Sequence, residues 1–245
     1  EGDARVPKEL LVRLAATDLP LDEELRDALN PNMQRLWNSL RPRGRVDLKG
    51  VEIRWLTGQK RLGLTFRAEP RGDSTSIEPV YFPYRLEKLR GALVFSDGHV
   101  RLEGLRAEHG HVKLSAGGAC DFQPDGSWRL ALEGLSVDRL RLDRELIGAM
   151  PERMKKAFAG LNPEGAIDLR GRWELQRGGK LDDPLRSAWD LDVSFAGAAI
   201  QSGIRLENMH GGLALAGGFD GRHFHCYGQL AVGSVRYRDF QFTQV

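Results

Sequence analysis

The sequence contains an internal repeat, and this feature restricts the possible folds more than any other. Residues 19–50 align with residues 140–171 without a gap, at a constant offset of 121. The alignment has 13 identities in 32 positions, whereas composition alone would give roughly two. A second match, offset by 120, places 85–93 over 205–213. A chain made of about two copies of one module is expected to stack those modules side by side.

The alignment also suggests where the modules begin and end. We assign residues 1–18 to the end of a preceding repeat, residues 19–139 to repeat one, and residues 140–245 to an incomplete repeat two. Neither end of the chain coincides with a module edge. The chain is therefore expected to be a piece of a longer array of such modules.

Each module is predicted to begin with a helical segment, over 22–40 in the first copy and 143–161 in the second. Asp22 and Asp143 occupy the positions of N-caps. Asn30 followed by Pro31 indicates a second helix start inside the first segment, because proline is favoured in the first turn of a helix.

The rest of each module alternates between apolar and polar residues, which is typical of antiparallel strands with one wet face. A phase shift after Leu48 predicts a bulge at Gly50. Turns are predicted at four places, namely Ser96–Gly98, Pro124–Gly126, Gly217–Gly218 and Asp220–Gly221. The predicted class is mostly β, with tandem repeats of a short helix followed by an antiparallel meander. Together they would form an elongated twisted sheet with an apolar groove.

Charge and motif content exclude several function classes. The 36 basic and 34 acidic residues give a net charge of +2, which argues against nucleic acid as a partner. Two histidine pairs, His109 with His111 and His223 with His225, have a spacing on a strand that could bind zinc. Neither pair has a further ligand nearby in sequence, so ordinary histidines are favoured, and neither a metal nor a cofactor is predicted.

The remaining reactive side chains also favour structural roles. Cys120 and Cys226 are not equivalent under the repeat, so they are interpreted as small strand residues. Two carboxylate pairs do recur between the copies, Asp47 with Asp168 and Glu87 with Glu207, and they are expected to be solvated or in cross-strand salt bridges. Since no catalytic motif is present, the chain is predicted not to be an enzyme.

Several of these segments resemble the repeating unit of AsmA-like proteins, a family related to TamB and to bridge-like lipid-transfer proteins. The resemblance lies in Leu140–Leu146 and Leu161–Gly171, which copy one carries as Leu19–Leu25 and Leu40–Gly50, and in Tyr81–Gly91 with Val100–Leu105. It implies a long β-sheet rolled into an open groove with an apolar lining. It also implies a periplasmic location within an inner-membrane-anchored protein, membrane association through other parts of the full chain, and inner- or outer-membrane protein partners.

The leading functional hypothesis is a segment of a lipid conduit for outer-membrane biogenesis. Phospholipid or another acyl-chain lipid would lie on an apolar face formed by Ile53, Trp55, Leu64, Phe66, Leu130, Leu132, Trp173, Leu175, Trp189, Leu191, Val193 and Phe195. No catalytic residue is carried over from the family. The alternative is a dry β-sandwich repeat that acts as a structural scaffold or protein-interaction module.

Overall fold

The chain forms one open antiparallel sheet in a computed structural model that describes residues 9–56, 61–150, 152–180 and 182–243. Within these residues, twelve strands are hydrogen-bonded in chain order. They are β1 (Glu9–Pro20), β2 (Arg45–Leu56), β3 (Arg61–Pro70), β4 (Glu87–Ser96), β5 (His99–His109), β6 (Val112–Phe122), β7 (Trp128–Arg141), β8 (Ala166–Arg177), β9 (Arg186–Ser202), β10 (Ile204–Phe219), β11 (Phe224–Tyr237) and β12 (Phe240–Thr243). The mostly β class is confirmed, and these strands form one sheet rather than the two of a sandwich.

In the described ranges, four short helices connect strands where the helical segments were predicted. They are α1 (Glu23–Ala28), α2 (Pro31–Leu40), α3 (Arg144–Ala149) and α4 (Glu152–Leu161). Asp22 and Asp143 are N-caps as predicted, because their carboxylates accept hydrogen bonds from the N–H groups of Leu25 at 3.0 Å and Leu146 at 2.8 Å. The Asn30 side chain likewise accepts a hydrogen bond at 3.0 Å, from the N–H of Met33. Each predicted helical segment is thus a pair of helices, and α2 begins at the predicted second start. Helices α3 and α4 begin and end 121 residues after α1 and α2.

Strand β2 shows how bulges keep apolar side chains on one face of the sheet. Leu48 pairs with Ala68, and Ile53 pairs with Leu64. Ala68 and Leu64 are four residues apart and share a face, whereas Leu48 and Ile53 are five apart. An extra residue in β2 is therefore required, because side chains alternate between faces. Gly50, at φ +55°, lies in this irregularity, which confirms the predicted bulge.

Two further bulges are held by the aspartates that recur between the copies. In β1, Asp18 has a φ of +61°, and its N–H donates to an Asp47 carboxylate oxygen at 2.8 Å. In β7, Arg139 has a φ of +57°, and its N–H donates to Asp168 at the same distance. The pKa of Asp47 is lowered by this backbone hydrogen bond and by a hydrogen bond from Arg71. These aspartates therefore hold irregular backbone, and Asp47 also forms a salt bridge with Arg71 at 2.9 Å.

Three of the four predicted turns connect strands, and the fourth prediction is wrong. Gly217–Gly218 lies inside β10. A Cβ on Gly217 would come within 2.7 Å of the Trp189 ring, which lies across this position from the neighbouring strand β9. The glycine provides space for an indole ring rather than freedom for a turn.

Two glycine-to-alanine substitutions can separate the stability cost of a steric clash from the cost of a strained backbone. Gly44 has a φ of +107°, and a Cβ there would lie 2.5 Å from the carbonyl oxygen of Ser74. Gly50, at φ +55°, has no atom within 4 Å of its Cβ position. We expect Gly50→Ala to cost about 1 kcal/mol, from the left-handed backbone alone, and Gly44→Ala to cost about 2–4 kcal/mol, because strain and a clash add. Urea unfolding measures both, and equal losses would contradict this account.

Candidate functional site

Cross-strand pairing places all twelve of the predicted lipid-binding residues on one face of the sheet. Directly opposed residues in antiparallel strands point to the same side. Opposed pairs link every strand from β2 to β9 in this way. They connect Ile53 of β2 to Leu64 of β3, continue across β4, β5 and β6 to Leu130 of β7, and reach Trp173 of β8 and Phe195 of β9. We call this side the apolar face.

Seven of the twelve residues belong to three buried clusters that follow one another along the apolar face. The first cluster contains Leu64, Phe66 and Leu130 around Phe95, Val100 and Cys120. The second contains Leu132, Trp173 and Leu191 around Val112, Ala116, Leu135 and Val137. The third contains Phe195 with Ala198, Met209 and Val235. Ile53, Trp55, Leu175, Trp189 and Val193 lie between or beyond these clusters on the same face.

The apolar face continues beyond the predicted residues onto β10 and β11, and two glycines of β10 lie beside aromatic rings of β9. A Cβ on Gly217 would lie 2.7 Å from the Trp189 ring, and a Cβ on Gly211 would lie 3.1 Å from the Phe195 ring. The Trp189 ring also contacts Phe224, with 5.3 Å between the ring centroids. These two rings therefore occupy space that a side chain on β10 would otherwise fill.

Helix α2 and the segment 77–86 pack on part of the apolar face, which the sequence analysis did not predict. Met33 of α2 packs on the first cluster. Residues 77–86 form an arm that is closed by a bridge between Ile77 and Leu86. Near its base, Tyr84 is only 5% exposed and packs against α3. Burial, together with the carboxylates of Asp143 and Glu145, raises the pKa of Tyr84 to about 12.

The arm also contacts β8, which lies in the segment predicted to be repeat two. The hydroxyl of Tyr81 accepts a hydrogen bond from Arg177 at the end of β8, and the guanidinium carbon of Arg177 lies 5.7 Å from the centre of the Tyr81 ring. The matching part of the second copy is the tight turn at Ser202 and Gly203 between β9 and β10. The two copies therefore differ in how their apolar faces are covered.

The two flanks of the apolar face are exposed to solvent. Trp55 is 40% exposed in β2, and Leu14 is 54% exposed in β1. On the other flank, Leu230 of β11 is 59% exposed. The other eleven predicted residues are half-buried. Side chains of this kind remain available to an apolar ligand.

The opposite side of the sheet carries ion pairs that follow the strands. Glu69 contacts Lys49 at 2.5 Å and Arg67 at 2.7 Å, and Glu103 links Arg67 to Arg101. These cationic hydrogen-bond donors lower the pKa of both Glu69 and Glu103. Of the carboxylate pairs considered above, Glu207 forms the expected cross-strand salt bridge, to Arg236 at 2.9 Å, and Glu87 lies 3.6 Å from Arg85.

These lowered pKa values predict that the protein loses stability in acid. A carboxylate whose pKa is lower in the folded state stabilises the fold above its unfolded pKa of about 4.3. That contribution disappears as the pH falls through the folded value. We therefore expect the free energy of unfolding to decrease below about pH 4.3, and Glu103→Gln to make this decrease shallower. Urea unfolding at a series of pH values measures it, and an unchanged slope in the variant would contradict the assignment.

The histidine pairs do not lie on one face of a strand, contrary to the expectation from their spacing. His109 ends β5, whereas His111 follows in the tight turn at Gly110, whose φ is +55°. His223 precedes β11 and His225 lies within it. The ring nitrogens of His109 contact the carbonyl of Arg85 and the carboxylate of Glu145 at 2.7 and 2.8 Å. Among the described residues, no group of three or more histidine, cysteine or acidic side chains is arranged to hold a metal.

Both cysteines are strand residues with free thiols, in different surroundings. Cys120 is buried in the first cluster, and burial raises its pKa to about 12. Cys226 of β11 is exposed.

The difference between the thiols predicts their reactivity. In native protein at neutral pH, we expect one fast thiol, Cys226, because a buried thiol with a high pKa provides almost no thiolate. A colorimetric disulfide reagent should detect a second thiol only after denaturation. Cys226→Ser should remove the fast phase, and a fast phase that survives in this variant would contradict the burial of Cys120.

None of the helices within the described ranges is long and apolar enough to cross a membrane. Comparison with known proteins gives no match, since no family model, no curated protein and no solved structure corresponds to this chain. The resemblance to AsmA-like proteins therefore depends on the sequence segments alone.

Proposed function

We propose that this chain is a non-catalytic segment of a lipid conduit, in which the apolar face carries acyl chains of phospholipids between the inner and outer membranes. One observation carries this proposal. Twelve residues chosen for their alternation alone occupy one face of a single sheet, with ion pairs on the other face. No second sheet covers that apolar face in the described part of the chain.

The chemistry of the face suits an acyl chain that moves. Burial of each methylene contributes about 0.8 kcal/mol, so a chain that lies across several strands would be held firmly. Aliphatic and aromatic side chains recur on strand after strand, and no single contact fixes the position of a chain. A ligand can then slide between equivalent positions at little cost, which is what a conduit needs.

The proposed architecture is a tandem array of modules, each with a helix pair and an antiparallel meander, whose shared sheet curls into a groove. Equal helix bounds at an offset of 121 residues support the array, and the single antiparallel sheet supports its side-by-side stacking. A periplasmic location, an inner-membrane anchor elsewhere in the full chain, membrane protein partners and a role in outer-membrane biogenesis belong to the same proposal. They derive from the sequence resemblance.

Lipid mass spectrometry of organic extracts tests the proposal directly. We expect phospholipid to co-purify well above a soluble β-sandwich control of similar size. Val193→Asp puts a carboxylate on the apolar face and should reduce lipid content several-fold, because a desolvated charge is costly. Asp192→Ser changes the adjacent residue on the polar face and should leave lipid content unchanged.

A further variant keeps the test valid if Val193→Asp fails to fold. Trp55→Glu changes a side chain that is already 40% exposed, so we expect it to fold normally and still bind less lipid. Circular dichroism and thermal unfolding check the fold of each variant. Lipid-free wild-type protein, or equal lipid content in all variants, would count against the conduit and favour the scaffold or interaction module.

A further inference from the structure

A cavity of about 510 Å³ opens at the ends of four neighbouring strands, β6 to β9. It is lined by residues of the turn between β6 and β7 and of the loop between β8 and β9. Trp128 and Arg177 also line it, and they are the last opposed pair of the β7–β8 ladder. Leu130 opposes Leu175 two residues further along, so Trp128 and Arg177 share the apolar face. The cavity therefore lies where the apolar face reaches the rim of the sheet.

The same cavity also reaches the polar side of the sheet. Gln176 of β8, which lines it, lies opposite Arg129 of β7 on one side and opposite Arg186 of β9 on the other. Neighbouring strands are about 4.8 Å apart, so the Cα atoms of the two arginines are separated by about 10 Å. Two arginine side chains at this separation are long enough to contact one small anion.

Both of these arginines have hydrogen-bond donors for a ligand. Arg186 is exposed, and in the described ranges it forms neither a hydrogen bond nor an ion pair. Arg129 contacts Glu174 at 2.8 Å through one terminal nitrogen of its guanidinium, which has five N–H groups in all. Arg177 instead fixes the wall of the cavity, because its Nε donates to the backbone carbonyl of Asp183 at 3.0 Å.

Two carboxylates line the cavity as well, and they have different partners. Asp121 contacts Nδ1 of His99 at 2.5 Å. Asp183 accepts a hydrogen bond at 2.8 Å from the backbone N–H of Lys180, through Oδ2. An ionised carboxylate can accept several hydrogen bonds, so Asp183 can also contact a cation. A lining with both signs of charge suits a ligand that carries both signs.

We propose that the cavity binds the headgroup of a zwitterionic phospholipid whose acyl chains lie on the apolar face, an inference that rests on the proposed conduit. The phosphate accepts hydrogen bonds from Arg129 and Arg186, since guanidinium groups match the geometry of phosphate oxygens. The ammonium group of the headgroup contacts the carboxylate of Asp183. Arg177 acts as a positioning residue for the loop that carries this carboxylate.

The position of the cavity supports this assignment. A charged headgroup cannot follow its acyl chains onto the apolar face, because burial of an unpaired charge is costly. It needs a polar site directly beside that face. The cavity meets this condition, since Trp128 packs on the first cluster and Arg129, the next residue, points to the polar side. The aspartates disfavour a headgroup with negative charge alone, because like charges in contact repel.

Isothermal titration calorimetry with dihexanoylphosphatidylethanolamine, a soluble zwitterionic phospholipid, tests the phosphate contacts. We expect the double variant Arg129→Gln with Arg186→Gln to bind this lipid at least about tenfold more weakly than wild type, because charge-assisted hydrogen bonds are lost. Octyl glucoside has an apolar chain and no charge, so it should bind equally to both proteins, which also shows that the variant folds. Arg172→Gln is the matched control, because Arg172 is a polar-face arginine of β8 outside the cavity, paired with Asp190 at 2.9 Å. It should leave the affinity unchanged.

A second pair of ligands tests the ammonium contact. Dihexanoylphosphatidylglycerol has the same chains and a phosphate but no ammonium group, so wild type should bind it several-fold more weakly than the ethanolamine lipid. Asp183→Asn should remove this preference. Asparagine retains an oxygen for the N–H of Lys180, so the loop should keep its structure. Inorganic phosphate, which lacks both the chains and the ammonium group, should bind far more weakly than either lipid.

The outcomes separate the headgroup site from the conduit. Ethanolamine-lipid affinity that is unchanged in the double arginine variant, equal binding of the two lipids to wild type, or inorganic phosphate that binds as tightly as the phospholipid would overturn the headgroup site. In each of these cases the conduit still predicts that octyl glucoside binds wild type and that Val193→Asp weakens this binding. If the conduit is wrong, octyl glucoside does not bind wild type at all.

Discussion

The separation of an apolar and a charged face depends on the bulges that interrupt the strands. Side chains alternate in a strand, so a slip of one residue moves every apolar side chain to the other face. The strands are long, up to 17 residues in β9, and extra residues interrupt several of their pairings. Gly50 supplies one such residue in β2, and Asp18 and Arg139 supply others in β1 and β7. Because Asp47 and Asp168 bind the N–H groups of the last two, the recurring carboxylates help to keep the apolar face continuous.

Alternation and repetition made most of this architecture predictable. The mostly β class, the helix starts at Asp22 and Asn30 and the bulge at Gly50 all follow from local patterns with a direct physical meaning. The shared face of the twelve predicted residues is predictable for the same reason, since each strand carries its own phase. What failed was the interpretation of residues whose role comes from a neighbouring strand. Gly217 resembles a turn residue in sequence, and its role comes from the Trp189 ring and the carbonyl oxygen of His225 on the neighbouring strands.

The cover of the apolar face could not be predicted either, because it depends on contacts distant in sequence. Nothing in the local pattern of residues 77–86 indicates that Tyr84 will pack on α3 or that Tyr81 will reach Arg177. The consequence for function is asymmetry between the two copies. A single sheet leaves its apolar side without the second layer that most domains use, and α2 and the arm replace that layer over only part of the face. The exposed side chains on this face are therefore where the proposed acyl-chain ligand would bury the most apolar surface.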